Sequence, residues 1–145
     1  LKGNTLCLFQ LVEKHGAVLY EMMKDFDRKV FFVHGGTDTK TREEIRSITE
    51  NEKDAIIIAS YGTFSTGINI RNIDNIVFAS PSKSKIRVLQ SLGRGLRLGD
   101  KSQSLKVFDI ADNLSSDSRL NFTLRHFKER LKIYNEHRTS HSGAK

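Results

Sequence analysis

Three side chains in the second half of the chain have the types and the spacing to handle a phosphate: Gln90, Arg94 and Arg97. At about 100° per residue they project from one face of a helix, while Leu89, Leu92 and Leu96 project from a face turned well away. One face packs and the other reaches out. A guanidinium offers planar forks of donors that match phosphate oxygens, and it stays charged at any working pH. Beside the terminal phosphate of a nucleotide, such an arginine stabilises the charge that builds during transfer, an effect on the order of 10³ to 10⁵ in rate. Gly93 and Gly95 flank Arg94, and each weakens a helix interior by up to ~1 kcal/mol relative to alanine, so the backbone there is loosened or closely approached. The same spacing also fits a solvated basic helix with ordinary arginines, and this stretch alone does not choose between the two.

The elements that would position these residues belong to one domain, since 145 residues are enough to bury a proper core. The chain begins at Leu1 rather than methionine, which suggests a piece of something longer. A net charge of +7 favours a polyanionic partner, most simply nucleic acid, without saying which. Cys7 is the only cysteine, so neither an internal disulfide nor a cysteine-based metal cluster is available, and no metal site is expected. No apolar run approaches the ~20 residues of a membrane span, and the first residues do not resemble a secretory signal. The expectation is a cytoplasmic protein in a reducing compartment, without a membrane partner.

Short apolar runs alternate with amphipathic stretches, the pattern of a parallel sheet of about five or six strands flanked by helices. Strands are expected at Thr5 to Phe9, Val30 to Val33, Ala55 to Ala59, Ile76 to Ala79 and Leu105 to Ile110. The first helix spans about Leu11 to Lys24, with Val12, Leu19, Met22 and Phe26 at packing spacing. The second starts near Thr41, where Thr41 and Glu44 have capping-box spacing and Ile45 and Ile48 supply the packing face. Ser60 to Asn69 reads as a small-residue loop, and the arginine helix begins near Ser82 or Ser84, just after Pro81. A last helix, Ser118 to His137, carries a seam of Leu120, Leu124, Phe127, Leu131 and Tyr134 for docking on this domain or on a neighbour. This divides the chain into a domain over 1–117, a C-terminal helix over 118–139 and a polar, disordered tail over 140–145.

In an open parallel sheet, ligands bind beyond the carboxyl ends of the strands. Gln10, the turn of His34, Gly35 and Gly36, the Ser60 to Asn69 loop, and Ser80 each follow a strand, so they should share one edge. The loop offers hydroxyls and backbone amides that suit a sugar-phosphate chain, though a flexible connection without a ligand has the same composition. Gly35 and Gly36 read more simply as a tight turn needing positive φ. Asp109 and Asp112 lie beyond the last strand without companion acids and read as a strand-end cap bonded to the arginine helix.

Together these features resemble the second RecA-like domain of superfamily 2 helicases. Gln90, Gly93, Arg94 and Arg97 match motif VI of that family; Ser60 to Gly67 with Asn69 are similar to motif V, with asparagine where aspartate is commoner and one residue more than in DEAD-box enzymes. Leu6 to Phe9 resemble motif IV, and Phe31 to Gly36 the segment that follows it. The resemblance implies a motor that binds ATP between two RecA-like domains. It makes Arg94 and Arg97 the arginine fingers, Gln90 a sensor of nucleotide state, and Gly67 and Asn69 part of the nucleotide-binding cleft. Ser60, Thr63, His34, Gly35 and Gly36 would contact the backbone of one strand. The sequence has no Walker A loop and no acidic Walker B tetrad, so the N-terminal RecA-like domain of the same chain would hold most of the ATP and its magnesium, and this domain alone would be inactive. Within the superfamily, the run from Ala59 to Pro81 together with motif VI most resembles a recombination helicase, which implies DNA as a single strand or branched duplex, or an RNA–DNA hybrid. Other readings stay open: a nucleic-acid-binding module indifferent to ATP, an RNA helicase, or the motor part of a restriction translocase.

Overall fold

In a computed structural model of the protein, residues 1–67, 70, 72–80, 89–90, 105–111 and 122–142 are described. The strands are β1 (Thr5–Phe9), β2 (Val30–Val33), β3 (Ile56–Ser60), β4 (Asn75–Phe78) and β5 (Lys106–Asp109). They form one parallel sheet in the order β2-β3-β1-β4-β5. The central strands are unbroken apolar runs because both of their faces are covered. Leu6, Leu8, Val33, Ile57, Ala59, Ile76 and Phe78 point into one core, and Cys7, Phe9, Ile56 and Ile58 into the other.

The second core is closed by a π-helical segment, Val12–Ala17, that runs into α1 (Val18–Met23). Val12, Leu19, Tyr20 and Met23 pack there, whereas Met22 and Phe26, expected on the packing face, are exposed. The π register shifts the face that the helix presents, and a plain 3.6-residue count cannot foresee it. At Gly16 the backbone lies so close to Phe9 that an added Cβ would sit 2.4 Å from the ring.

The first core is covered by α2 (Thr39–Asn51), α3 (Tyr61–Gly67) and α4 (Phe122–Ser142), with Ile45, Tyr61, Phe64 and Tyr134 among its members or neighbours. Three expectations are corrected here. Helix α2 starts at Thr39 and is capped by Asp38, whose carboxylate accepts from the Thr41 amide (2.9 Å) and hydroxyl (2.7 Å). Ile48 is exposed, and the buried position one residue on is Thr49, whose hydroxyl donates to the Ile45 carbonyl. The segment read as a loop after β3 is helical through Gly67. The last helix is placed at Phe122–Ser142.

The amino edge of the sheet is held by Asn4, which is fully buried. Its amide donates to the carbonyls of Thr49, Glu52 and Asn72, and its side-chain oxygen accepts from the Ala55 amide at 2.8 Å. Every polar group of this buried side chain therefore has a partner, as burial requires.

Candidate functional site

The pairing register places the strand ends side by side: Val33 opposite Ala59, Phe9 opposite Ser60, Leu8 opposite Phe78, and Phe78 opposite Asp109. Gln10, His34, Tyr61, Ala79 and Ile110 therefore leave the sheet along one edge.

The turn after β2 is built around His34. Its ring packs against Phe32 at 5.2 Å, its Nδ1 accepts from the Gly36 amide (3.1 Å), and its own amide donates to the Thr37 hydroxyl (3.1 Å). Neither Gly35 nor Gly36 has positive φ; Gly3 is the one glycine in that region among the described residues. Gly35 stands open, with nothing within 4 Å of where its Cβ would be, whereas a Cβ on Gly36 would stand 3.0 Å from the His34 ring. From the first turn of α2, Arg42 reaches back and donates through Nη2 to the carbonyls of His34 (3.3 Å) and Gly35 (3.1 Å). Such charge-assisted bonds fix the loop from beneath. Sequence reasoning missed Arg42; an arginine one helical turn inside α2, facing back to a glycine turn, was the available signal.

After β3 the backbone turns directly into α3. The Ser60 and Thr63 hydroxyls are buried and bonded to each other at 2.7 Å, and the Thr63 amide donates to Ser60 Oγ at 3.3 Å. Serine at this position satisfies an amide that a helix start would otherwise leave unpaired. The two hydroxyls thus face the fold, while Gly62 is exposed with open space around it. Gly67 ends α3 as described, and Asn69 lies outside the described residues.

Tyr61 joins α3 to the end of β4: its ring stacks on Phe78 with centroids 6.2 Å apart, and its hydroxyl donates to the Ser80 carbonyl at 2.7 Å. Burial pushes this phenol well above the usual tyrosine range. Leu89 and Gln90 are helical; Leu89 packs against the first core and Gln90 is exposed, the division expected for those two residues. Arg94, Arg97 and the glycines around Arg94 lie outside the described residues, as does Asp112.

At the end of β5 the Asp109 carboxylate meets α4. Arg130 donates through Nε to Oδ2 (2.6 Å) and through Nη2 to Oδ1 (2.9 Å), and the Tyr134 hydroxyl donates to Oδ2 (2.8 Å). Both charged side chains are 5% exposed, and Arg130 lies over the Phe127 ring at 5.7 Å. The described partners of Asp109 are thus on the C-terminal helix, while most of the arginine helix lies outside the described residues. Among the described residues no three His, Cys, Asp or Glu side chains gather as metal ligands, and no helix is long and apolar enough to cross a membrane.

An all-parallel sheet with one hydroxyl-, amide- and arginine-bearing edge is the arrangement of a RecA-like domain, and solved structures bear this out. The structure of T4 UvsW superposes with a TM-score of 0.71 at 34% identity over 92% of this chain and 29% of that one. The C-terminal domain of the DEAD-box protein Dbp5 gives a TM-score of 0.67 at 17% identity over 94% of this chain and 72% of that one, a likeness of fold. The helicase conserved C-terminal domain family matches residues 2–99, and the chain belongs to it. In sequence it is similar to the ATP-dependent DNA helicase uvsW of Enterobacteria phage T4, 37% identical in an alignment of 141 residues that covers 90% of this chain and 28% of that protein.

Proposed function

We propose that this domain is the C-terminal motor half of an ATP-dependent DNA helicase or translocase that acts on branched DNA intermediates in recombination and repair. The observation that carries the reading is the 37% identity to a helicase acting on DNA, spread over 90% of the chain. Because the chain spans 28% of that relative, the rest of the motor is proposed to lie in an N-terminal RecA-like domain of the same protein. Walker A and B groups there would hold the triphosphate and its magnesium. The backbone amides and guanidiniums proposed for this domain's edge suit phosphate rather than a metal ion.

In this mechanism Arg94 and Arg97 reach across the cleft to the terminal phosphate, Gln90 senses whether it is present, and Gly67 and Asn69 line the cleft. Fixed guanidiniums at that point stabilise the charge spread over the transferred phosphoryl oxygens. The His34, Gly35 and Gly36 turn takes hold of one strand through its accessible backbone. Ser60 and Thr63 shape the neighbouring contact from within, since their hydroxyls bond each other. Such contacts position a strand without reading its sequence. Nucleotide binding favours a closed cleft and hydrolysis an open one, and the two states grip the strand differently, so each cycle moves it. This domain alone lacks the phosphate-binding half and turns over no ATP.

Replacing Arg97 by lysine in the intact protein is the test. Lysine keeps the charge and loses the planar fork, so DNA-stimulated ATP turnover is expected to fall on the order of 10³-fold. Turnover at the wild-type rate would remove the finger assignment, and DNA binding that ignores ATP altogether would favour a passive binding module.

A further inference from the structure

The cluster of Asp109, Arg130 and Tyr134 is more than stability needs. A buried carboxylate–guanidinium pair roughly breaks even against well-packed apolar side chains, because both ions must be desolvated. Here the balance is worse still, since Arg130 Nη1 is buried with no acceptor among the described residues. What the pair supplies is geometry: two parallel donors and a phenol on one carboxylate allow a single rotation and a single height of α4 against β5.

That geometry passes to the functional edge through short contacts. The Ile110 amide, next to Asp109, donates to the Phe78 carbonyl at 3.3 Å, and the Ala79 amide donates to Leu8 at 3.0 Å. Tyr134 packs against the core cluster that contains Tyr61 and Phe78. Tyr61 in turn holds the Ser80 carbonyl at 2.7 Å. Ser80 is buried, and the sequence leading to Gln90, Arg94 and Arg97 departs from it. The charges of Asp109 and Arg130 are also felt at the Tyr61 hydroxyl.

We infer that Arg130, through Asp109 and Tyr134, is a positioning residue for ATP turnover: the C-terminal helix sets the strand ends that precede the arginine-bearing segment in the chain. This rests on the motor reading above. Misplacement of a catalytic group by about 1 Å lowers the chemical step by as much as about 100-fold and leaves ground-state binding alone. A merely structural cluster would show the opposite pattern.

The test uses the intact two-domain protein and an apolar triad, Asp109→Leu with Arg130→Met and Tyr134→Phe, alongside Tyr134→Phe alone. The triad is expected to keep the melting temperature near that of the wild type while the DNA-stimulated kcat falls about 10- to 100-fold with KM for ATP unchanged. Tyr134→Phe, which disturbs packing least, is expected to shift kcat the same way by less. A triad variant that folds and turns over at the wild-type kcat overturns the inference with the motor reading intact. If the triad does not fold, Tyr134→Phe decides: a kcat equal to that of the wild type overturns the inference. Absence of DNA-stimulated turnover in the wild-type protein overturns the motor reading, and the inference falls with it.

Discussion

Cys7 shows what the sheet does to a single residue. It lies in the middle of β1 facing the second core, and burial pushes its thiol up to about 11. The folded state thus disfavours the thiolate, which alone reacts. Because the folded pKa is raised, the stabilisation is fully present below about pH 9 and is lost as pH rises towards 11. Two units correspond to about 2–3 kcal/mol at the alkaline end. Urea unfolding from pH 7 to 11 should show a steeper alkaline loss in the wild type than in Cys7→Ala, where that slope is removed. Residue roles of this kind are poorly legible in sequence. Arg130 reads as one more cation on a charged helix, and nothing near Asn4 announces partners that only the tertiary fold brings up.

Among the elements, the segment before α1 is the most constrained by close approach. Gly16→Ala would drive a methyl into the Phe9 ring, whose atoms stand 2.4–2.8 Å from the added carbon. Overpacking of this kind typically costs about 1–3 kcal/mol, readable as a lowered denaturation midpoint with an unchanged m-value. The five strands of the described residues were legible to within a residue or two because continuous apolar runs such as Ala55 to Ala59 have few other uses in a globular domain. Helix α3 was not legible. Tyr61 to Gly67 contains two glycines and three hydroxyl residues, a poor helix former by propensity, and it folds because Ser60 caps it and Tyr61 and Phe64 are buried. The start of α2 was misplaced for a related reason: Asp38 and Thr41 form a cap as good as the box expected between Thr41 and Glu44. The exposed glycine turn was correctly put at the sheet edge, yet neither glycine has positive φ: Gly35 stands open and Gly36 lies close against the His34 ring.

For the whole molecule, the proposed grip on a single DNA strand, favoured by a net charge of +7, predicts affinity that falls linearly with the logarithm of salt, by about 0.7 per phosphate engaged. Arg42 separates contact from support in that measurement. Its Nη2 is committed to the His34 and Gly35 carbonyls, so Arg42→Gln should weaken binding and leave the salt slope unchanged; a slope reduced by about one unit would place the guanidinium on a phosphate instead. The opposite edge carries a consequence for how the chain folds. Asn4 bonds to partners 45, 48 and 68 residues away, so its network closes only after three crossovers are complete. Interactions of such long reach are absent from an early nucleus. Asn4→Ala should therefore accelerate unfolding in stopped-flow experiments and leave the refolding rate nearly untouched, so that the domain's lifetime, more than its speed of assembly, depends on one amide.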